Sequence, residues 1–139
     1  MILLDTMLVA EAMRPQANAR VTEWLDEQDV ETLFVATVSL AALVGDAARL
    51  PAGAILEGGA VALGDAVAAL FEGRVLAFDT QAVRSYGEIM LEAKRYKVSI
   101  SRANGLVAAV ARSYRIPVAS VDVGPFFVVG CRVIQVGRG

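Results

Sequence analysis

Three aspartates stand at the ends of short β-forming apolar runs: Asp5 behind Ile2-Leu3-Leu4, Asp79 behind Val75-Leu76-Ala77-Phe78, and Asp122 two residues past Val118-Ala119-Ser120. In open sheets built from parallel crossovers, groups at the carboxyl ends of strands are the ones that meet ligands. Carboxylates gathered there are hard oxygen donors, the group type that holds a hard divalent cation. Zinc of the usual kind is excluded, because the chain has no histidine and Cys131 is its only cysteine; an intrachain disulfide is excluded for the same reason. Asp79 has a competing and simpler reading. With Thr80 it precedes a long helical pattern and serves as a helix cap. The glycines at 58, 59 and 64 form neither a GK[ST] nor a GxGxxG arrangement, so no nucleotide phosphate loop is indicated.

The elements that would position these acids follow from periodicity. Ile2 to Leu4 reads as a strand buried on both faces. Met7–Met13 and Ala17–Gln28 have helical spacing, the first stopping before Pro15. Thr32–Val35 is a second strand, and Val38–Leu50 is a helix with Leu40, Leu43, Val44 and Ala47 on one stripe before Pro51. Leu56–Phe71 is a weak helix interrupted by glycine, ended by Gly73. Arg74–Phe78 is a third strand, followed by a long helix to about Tyr96. Ser101 caps another helix carrying Leu106, Val107, Val110 and Ala111, and Pro117–Ser120 and Cys131–Val136 supply the last strands. Trp24, Tyr86 and Cys131 read as packing residues. Strands alternating with helices predict a three-layer α/β/α sandwich around a mainly parallel sheet of about five strands, in one domain spanning residues 1–139.

Hydrophobic residues make up 56% of the chain against 20% charged, an excess that predicts an oligomer or a groove filled by another chain. A net charge of −2 argues against a large basic nucleic-acid footprint, although thirteen Lys and Arg can still cluster locally. The leading apolar run is too short for a signal segment, and no stretch reaches membrane-spanning length. The expectation is a cytoplasmic protein with no membrane association.

Five phrases carry a family resemblance: ILLDT at residues 2–6, MRPQANARVTEWLDEQ at 13–28, ARLPAG at 48–53, LFEGRVLAFD at 70–79 and VASVDVGPFF at 118–127. In this order and spacing the chain resembles the PIN-domain toxins of the VapC/FitB type, nearly from end to end. The resemblance implies a PIN-like fold and the toxin half of a type II toxin–antitoxin pair. It further implies RNA cleavage dependent on magnesium or manganese, homodimers, and neutralisation by a small antitoxin that often carries a DNA-binding module. Such cleavage uses one or two cations in a cage of carboxylates, whose mutual repulsion only the divalent ion makes tolerable.

Matched position by position, Asp5 is the family's first acid and Asp122 its late acid. Ala42, in Ser39-Leu40-Ala41-Ala42, stands where the family has glutamate, and Asn104, in RANGLVAAVA, where it has aspartate. Met7 replaces the polar residue of the family's D-T-N phrase. Arg102, two residues before Asn104, either pairs with Asp5 or Asp122 in place of a metal or points to solvent. Asp46, one turn beyond Ala42, is a substitute acid if the helix start has slid, and a solvated residue otherwise.

Two functional readings follow. In the first, the chain acts by complex formation with its cognate antitoxin, through an apolar groove lined by Val9–Met13 and Leu40–Val44, with nuclease activity weak or lost and no metal required. In the second it remains a magnesium- or manganese-dependent ribonuclease using Asp5, Asn104, Asp122 and Asp46 on RNA. A third class, a small-ligand module, would show a buried pocket away from Asp5.

Overall fold

The computed structural model describes residues 1–51 and 59–137. Five strands, β1 (Ile2–Leu4), β2 (Leu33–Ala36), β3 (Val75–Leu76), β4 (Val118–Ser120) and β5 (Val133–Gln135), form one sheet. Its order is β3-β2-β1-β4-β5, and every neighbouring pair is parallel. The helices are α1 (Thr6–Ala12), α2 (Ala19–Glu27), α3 (Thr37–Ala48), α4 (Gly59–Leu70), α5 (Thr80–Arg95), α6 (Arg102–Tyr114) and α7 (Gly124–Phe127), with a 3₁₀ turn at Val30–Thr32.

The three layers follow from the two-residue period of a strand, which sends neighbouring side chains to opposite faces. Leu3, Ala36, Leu76 and Val118 point into one core with Ile89 of α5, Val107 and Val110 of α6, and Phe126 of α7. Their neighbours Leu4, Val35 and Ala119 point into the other, with Leu8 and Val9 of α1, Val21 of α2 and Leu43 of α3. Both faces of the sheet are therefore covered, as parallel sheets require. The α/β/α sandwich expected from the sequence is the architecture observed.

Local differences have local causes. The third strand shrinks to Val75–Leu76, because just beyond it the Phe78 N–H donates to Thr37 Oγ1 at 3.1 Å and leaves the ladder. Cys131 precedes β5 instead of opening it, and α7, led by Gly124-Pro125, was not expected at all: four residues are too few for a periodic signal. The portion of the expected glycine-interrupted helix at 56–58, and the last two residues of ARLPAG, lie outside the described residues. Within α4, Gly64 lets α3 approach closely; a β-carbon there would stand 2.7 Å from Val44 Cγ2. Trp24 and Tyr86 pack as expected, Trp24 against the second core and Tyr86 edge-on to Phe78 at 6.4 Å.

Candidate active site

The sheet brings residues 5 and 120 together although they are far apart in the chain. Leu4 lies opposite Ala119 in the parallel β1–β4 register, so Asp5 and Ser120 are next in line on adjacent strands. The Asp5 N–H donates to the Ala119 carbonyl at 3.0 Å. The Asp5 side chain is almost wholly buried, and each oxygen accepts a hydrogen bond: Oδ1 from the Leu8 N–H at 2.8 Å, capping α1, and Oδ2 from the Ser120 hydroxyl at 2.6 Å. Burial pushes the Asp5 carboxyl above the usual aspartate value, the Ser120 and Leu8 hydrogen bonds work against that rise, and the charge of Asp122 adds to it.

Asp122 is exposed and joins the same unit through its backbone, its N–H donating to Ser120 Oγ at 3.0 Å. A second, partly buried polar pair adjoins: Thr6 Oγ1 donates to Ser39 Oγ at 2.8 Å, tying α1 to α3. Ala42 follows Ser39 by three residues on α3, hence on the same helical side, and offers no ligand atom. Asn104 lies in the first turn of α6, half-buried, with its backbone N–H taken by Ser101 Oγ at 3.2 Å.

The remaining candidates stand apart. Asp46 is exposed and paired with Arg49 at 3.2 Å. Among the described residues Arg102 forms no ion pair; it is exposed, in keeping with the solvent alternative. Met7 is also exposed. Asp79 caps α5, Oδ1 accepting from the Ala82 N–H at 3.0 Å. Ser120 was missed as a site residue. Its signal was the repeated strand-end position, since residues that follow register partners in parallel strands are neighbours.

The donor set does not fit a two-cation centre. Among the described residues no group of three acidic, histidine or cysteine side chains is placed to hold a metal. Asp5 spends one acceptor site of each oxygen on Leu8 and Ser120, position 42 gives nothing, and Asn104 carries only a neutral amide, a weak ligand for a hard cation.

An apolar groove of about 310 Å³ opens where the chain enters β2 and β3, with Val30, Leu33 and Arg74 in its lining. Val9 and Met13 of α1 form one wall, as expected, but the opposite wall is Val67, Leu70 and Phe71 at the end of α4. The Leu40–Val44 segment does not line it: Leu40 and Leu43 face the sheet core beneath. Arg74 borders the groove. Its guanidinium donates to the carbonyls of Val30 and Leu33, both at 2.7 Å, and of Leu70 at 2.8 Å, and lies 5.1 Å from the Phe71 ring centre. Among the described residues no helix is long and apolar enough to cross a membrane.

Comparison with known proteins places this geometry. The family model described as PIN domain matches residues 2–128. The chain is 34% identical over 135 residues to plasmid stability protein StbB of Pseudomonas syringae pv. tomato, with 97% of each covered. It is 36% identical over 132 residues to toxin FitB of Neisseria gonorrhoeae, with 91% of each covered, and 35% identical over 135 residues to VapC ribonuclease Y4jK of Sinorhizobium fredii, covering 97% of this chain and 96% of that one. The structure of FitAcB from Neisseria gonorrhoeae superposes with a TM-score of 0.83 at 33% identity, covering 97% of both chains. FitAB bound to an IR36 DNA fragment gives 0.84 at 33% identity, covering 97% of this chain and 94% of that one.

Proposed function

The chain belongs to the PIN-domain family, and we propose that it is the toxin-type subunit of a toxin–antitoxin pair, acting chiefly by complex formation, with metal-dependent RNA cleavage weak or lost. The partner is a small DNA-binding antitoxin; the names of FitB as a toxin and of the FitAB complex as DNA-bound support this assignment. A homodimer accommodates the remaining apolar surface, and the protein works in the cytoplasm. The antitoxin places the apolar face of a helix in the groove between Val9–Met13 of α1 and the end of α4, a mode of docking that needs no metal.

One observation carries the loss of cleavage. Asp5 is held inside the fold by the Leu8 N–H and the Ser120 hydroxyl, and among the described residues Asp122 is the carboxylate whose charge acts on it. Two carboxylates and a neutral amide offer a divalent cation less charge than the four acids of the family pattern, so the ion is held weakly and keeps most of its water. Were magnesium or manganese bound, it would polarise a phosphodiester and activate water there, with Asp5, Asp122 and the Asn104 amide as its holders. This chain's own groups do the rest: Ser120 orients Asp5, and α1 fixes it by its cap.

The second reading, a ribonuclease with a rearranged site, is favoured by the retained Asp5–Ser120–Asp122 unit and by the ribonuclease name of Y4jK. Calorimetric titration with magnesium and manganese, alongside a cleavage assay on structured RNA, separates the two. The expected result is no saturable divalent binding in the micromolar range and no metal-dependent cleavage. Micromolar saturation with cleavage abolished by chelator would establish the enzyme.

A further inference from the structure

At the opposite edge of the sheet from Asp5, where the chain enters β4 and β5, three arginines converge on one concavity. Arg112 comes from the last turn of α6, Arg115 from its left-handed cap and Arg132 from the residue before β5; Ala111, Ile116, Gly130 and Cys131 complete the walls. The space measures about 180 Å³, and no acidic residue lines it. In a chain of net charge −2 that concentration of cations is local.

The state of each guanidinium differs. Arg112 is neutralised: its Nη2 donates to both oxygens of Glu92, at 3.1 and 3.0 Å, and Glu88 Oε2 stands 4.0 Å from Nη1. Among the described residues Arg115 and Arg132 form no ion pair, and both are exposed. Arg132 is held in place by donating through Nη2 to the Arg115 carbonyl. That contact caps the carbonyl end of α6, where cations are favoured. Capping accounts for Arg132 alone; it gives no role to the Arg115 side chain and none to the acid-free concavity between the two.

We propose that this concavity binds a phosphate-type oxyanion, either free phosphate or the terminal phosphate of a nucleotide. Two positive charges with no carboxylate partner, offset only in part by the carbonyl end of α6, match one dianion, and a phosphate monoester carries roughly −1.5 to −2 at neutral pH. Guanidinium forks suit its several oxygens, whereas a single carboxylate would satisfy one fork and leave the other cation unpaired. The site lies apart from the Asp5 edge and from the groove, so it stands whether or not the chain cleaves RNA.

The test uses the full chain at constant ionic strength, titrated with inorganic phosphate and with adenosine monophosphate, read by calorimetry and by amide chemical shifts. Saturable binding is expected, with the largest shifts at Gly130 and Cys131. The paired change Arg115→Gln and Arg132→Gln should weaken it at least about tenfold, and the paired change to Lys, which keeps the charge and loses the forks, should weaken it less. Equal affinity for both ligands identifies free phosphate as the source; tighter binding of the nucleotide identifies a nucleotide. Absence of saturation, or an unchanged affinity in the Gln pair, overturns the site. Should the Gln pair fail to fold, the wild-type shifts decide: saturating shifts centred away from Gly130 and Cys131 also overturn it.

Discussion

The apolar groove and the acidic edge share β1 and α1, yet they treat their polar groups differently. Leu4 lines the groove, and Asp5, the very next residue, anchors the edge. In the groove the cation Arg74 spends its donors on backbone carbonyls, so that what faces outward is apolar wall. At the edge the carboxylate of Asp5 is turned inward to a cap and a hydroxyl, and the acid of this unit that faces outward is Asp122. A surface of the first kind binds by burying area; one of the second kind binds a cation by charge. On the proposed reading, the contrast lets a PIN domain keep a partner with little or no metal-dependent chemistry.

The largest test of that contrast is Arg74→Ala. It would strip donors from three backbone carbonyls at once, around the 3₁₀ turn, β2 and the end of α4. A loss of about 3 kcal/mol in urea unfolding is expected, since hydrogen bonds to charged groups contribute about 1.5–3 kcal/mol each and water replaces part of them at this half-buried position. Arg74→Lys should recover only part of it, because one ammonium cannot span the three acceptors. A change below about 0.5 kcal/mol would mean that the groove wall stands without Arg74.

The two regions also differ in how far they could be read from residues alone. Asp79 and Ser101 were legible as caps because the bond that makes a cap runs to an N–H three residues on. Asp5 and Asp122 were legible as strand-end acids for the same local reason. The Ser120 bond to Asp5 spans 115 residues and those of Arg74 to Val30 and Leu33 span 44 and 41; pairings of that length depend on sheet order, which periodicity does not specify. The groove wall was misassigned on the same ground. The stripe through Leu40 and Leu43 was read correctly as apolar, but it packs on the sheet, and α4 stands where α3 was expected.

A smaller effect is expected from Asp5→Ala, which removes the cap of α1 and leaves the Leu8 N–H unpaired. The cost should be about 1–2 kcal/mol, near the upper part of the range for lost N-caps, because the group is buried. Ser120 softens the loss by turning its hydroxyl to the Asp122 carbonyl, 3.0 Å away. A cost above about 4 kcal/mol would show Asp5 to be a keystone of the core and not a retained site residue.

Restoring the family's acids tests the edge from the other side. Ala42→Glu with Asn104→Asp returns carboxylates to the two positions where the family pattern has acids. Divalent affinity should rise at least about tenfold, while stability in chelator should fall by about 1 kcal/mol as like charges crowd without a counterion. Thermal melting with chelator and with magnesium reads both. An unchanged melt in chelator would show that positions 42 and 104 do not face Asp5.

The smallest effect is the most specific to Asp5. Its carboxyl titrates above the unfolded value of 3.8, so the native state holds that proton more tightly than the unfolded chain. The stability so contributed is complete below pH 3.8 and is lost as pH rises through the higher native value. Asp5→Asn removes this slope while preserving the bonding: its Oδ1 still caps Leu8, its amide donates to Ser120 Oγ, and the Ser120 hydroxyl turns to the Asp122 carbonyl. In chelator the variant should therefore match the wild type in acid and exceed it slightly, by less than about 1 kcal/mol, at neutral pH. Unfolding curves for the two proteins across pH 3–8 must diverge upward for Asn. If the wild type gains on Asn as pH rises, the ionised carboxylate is stabilised where it sits, and the edge retains more attraction for a cation than its buried, inward-turned acid implies.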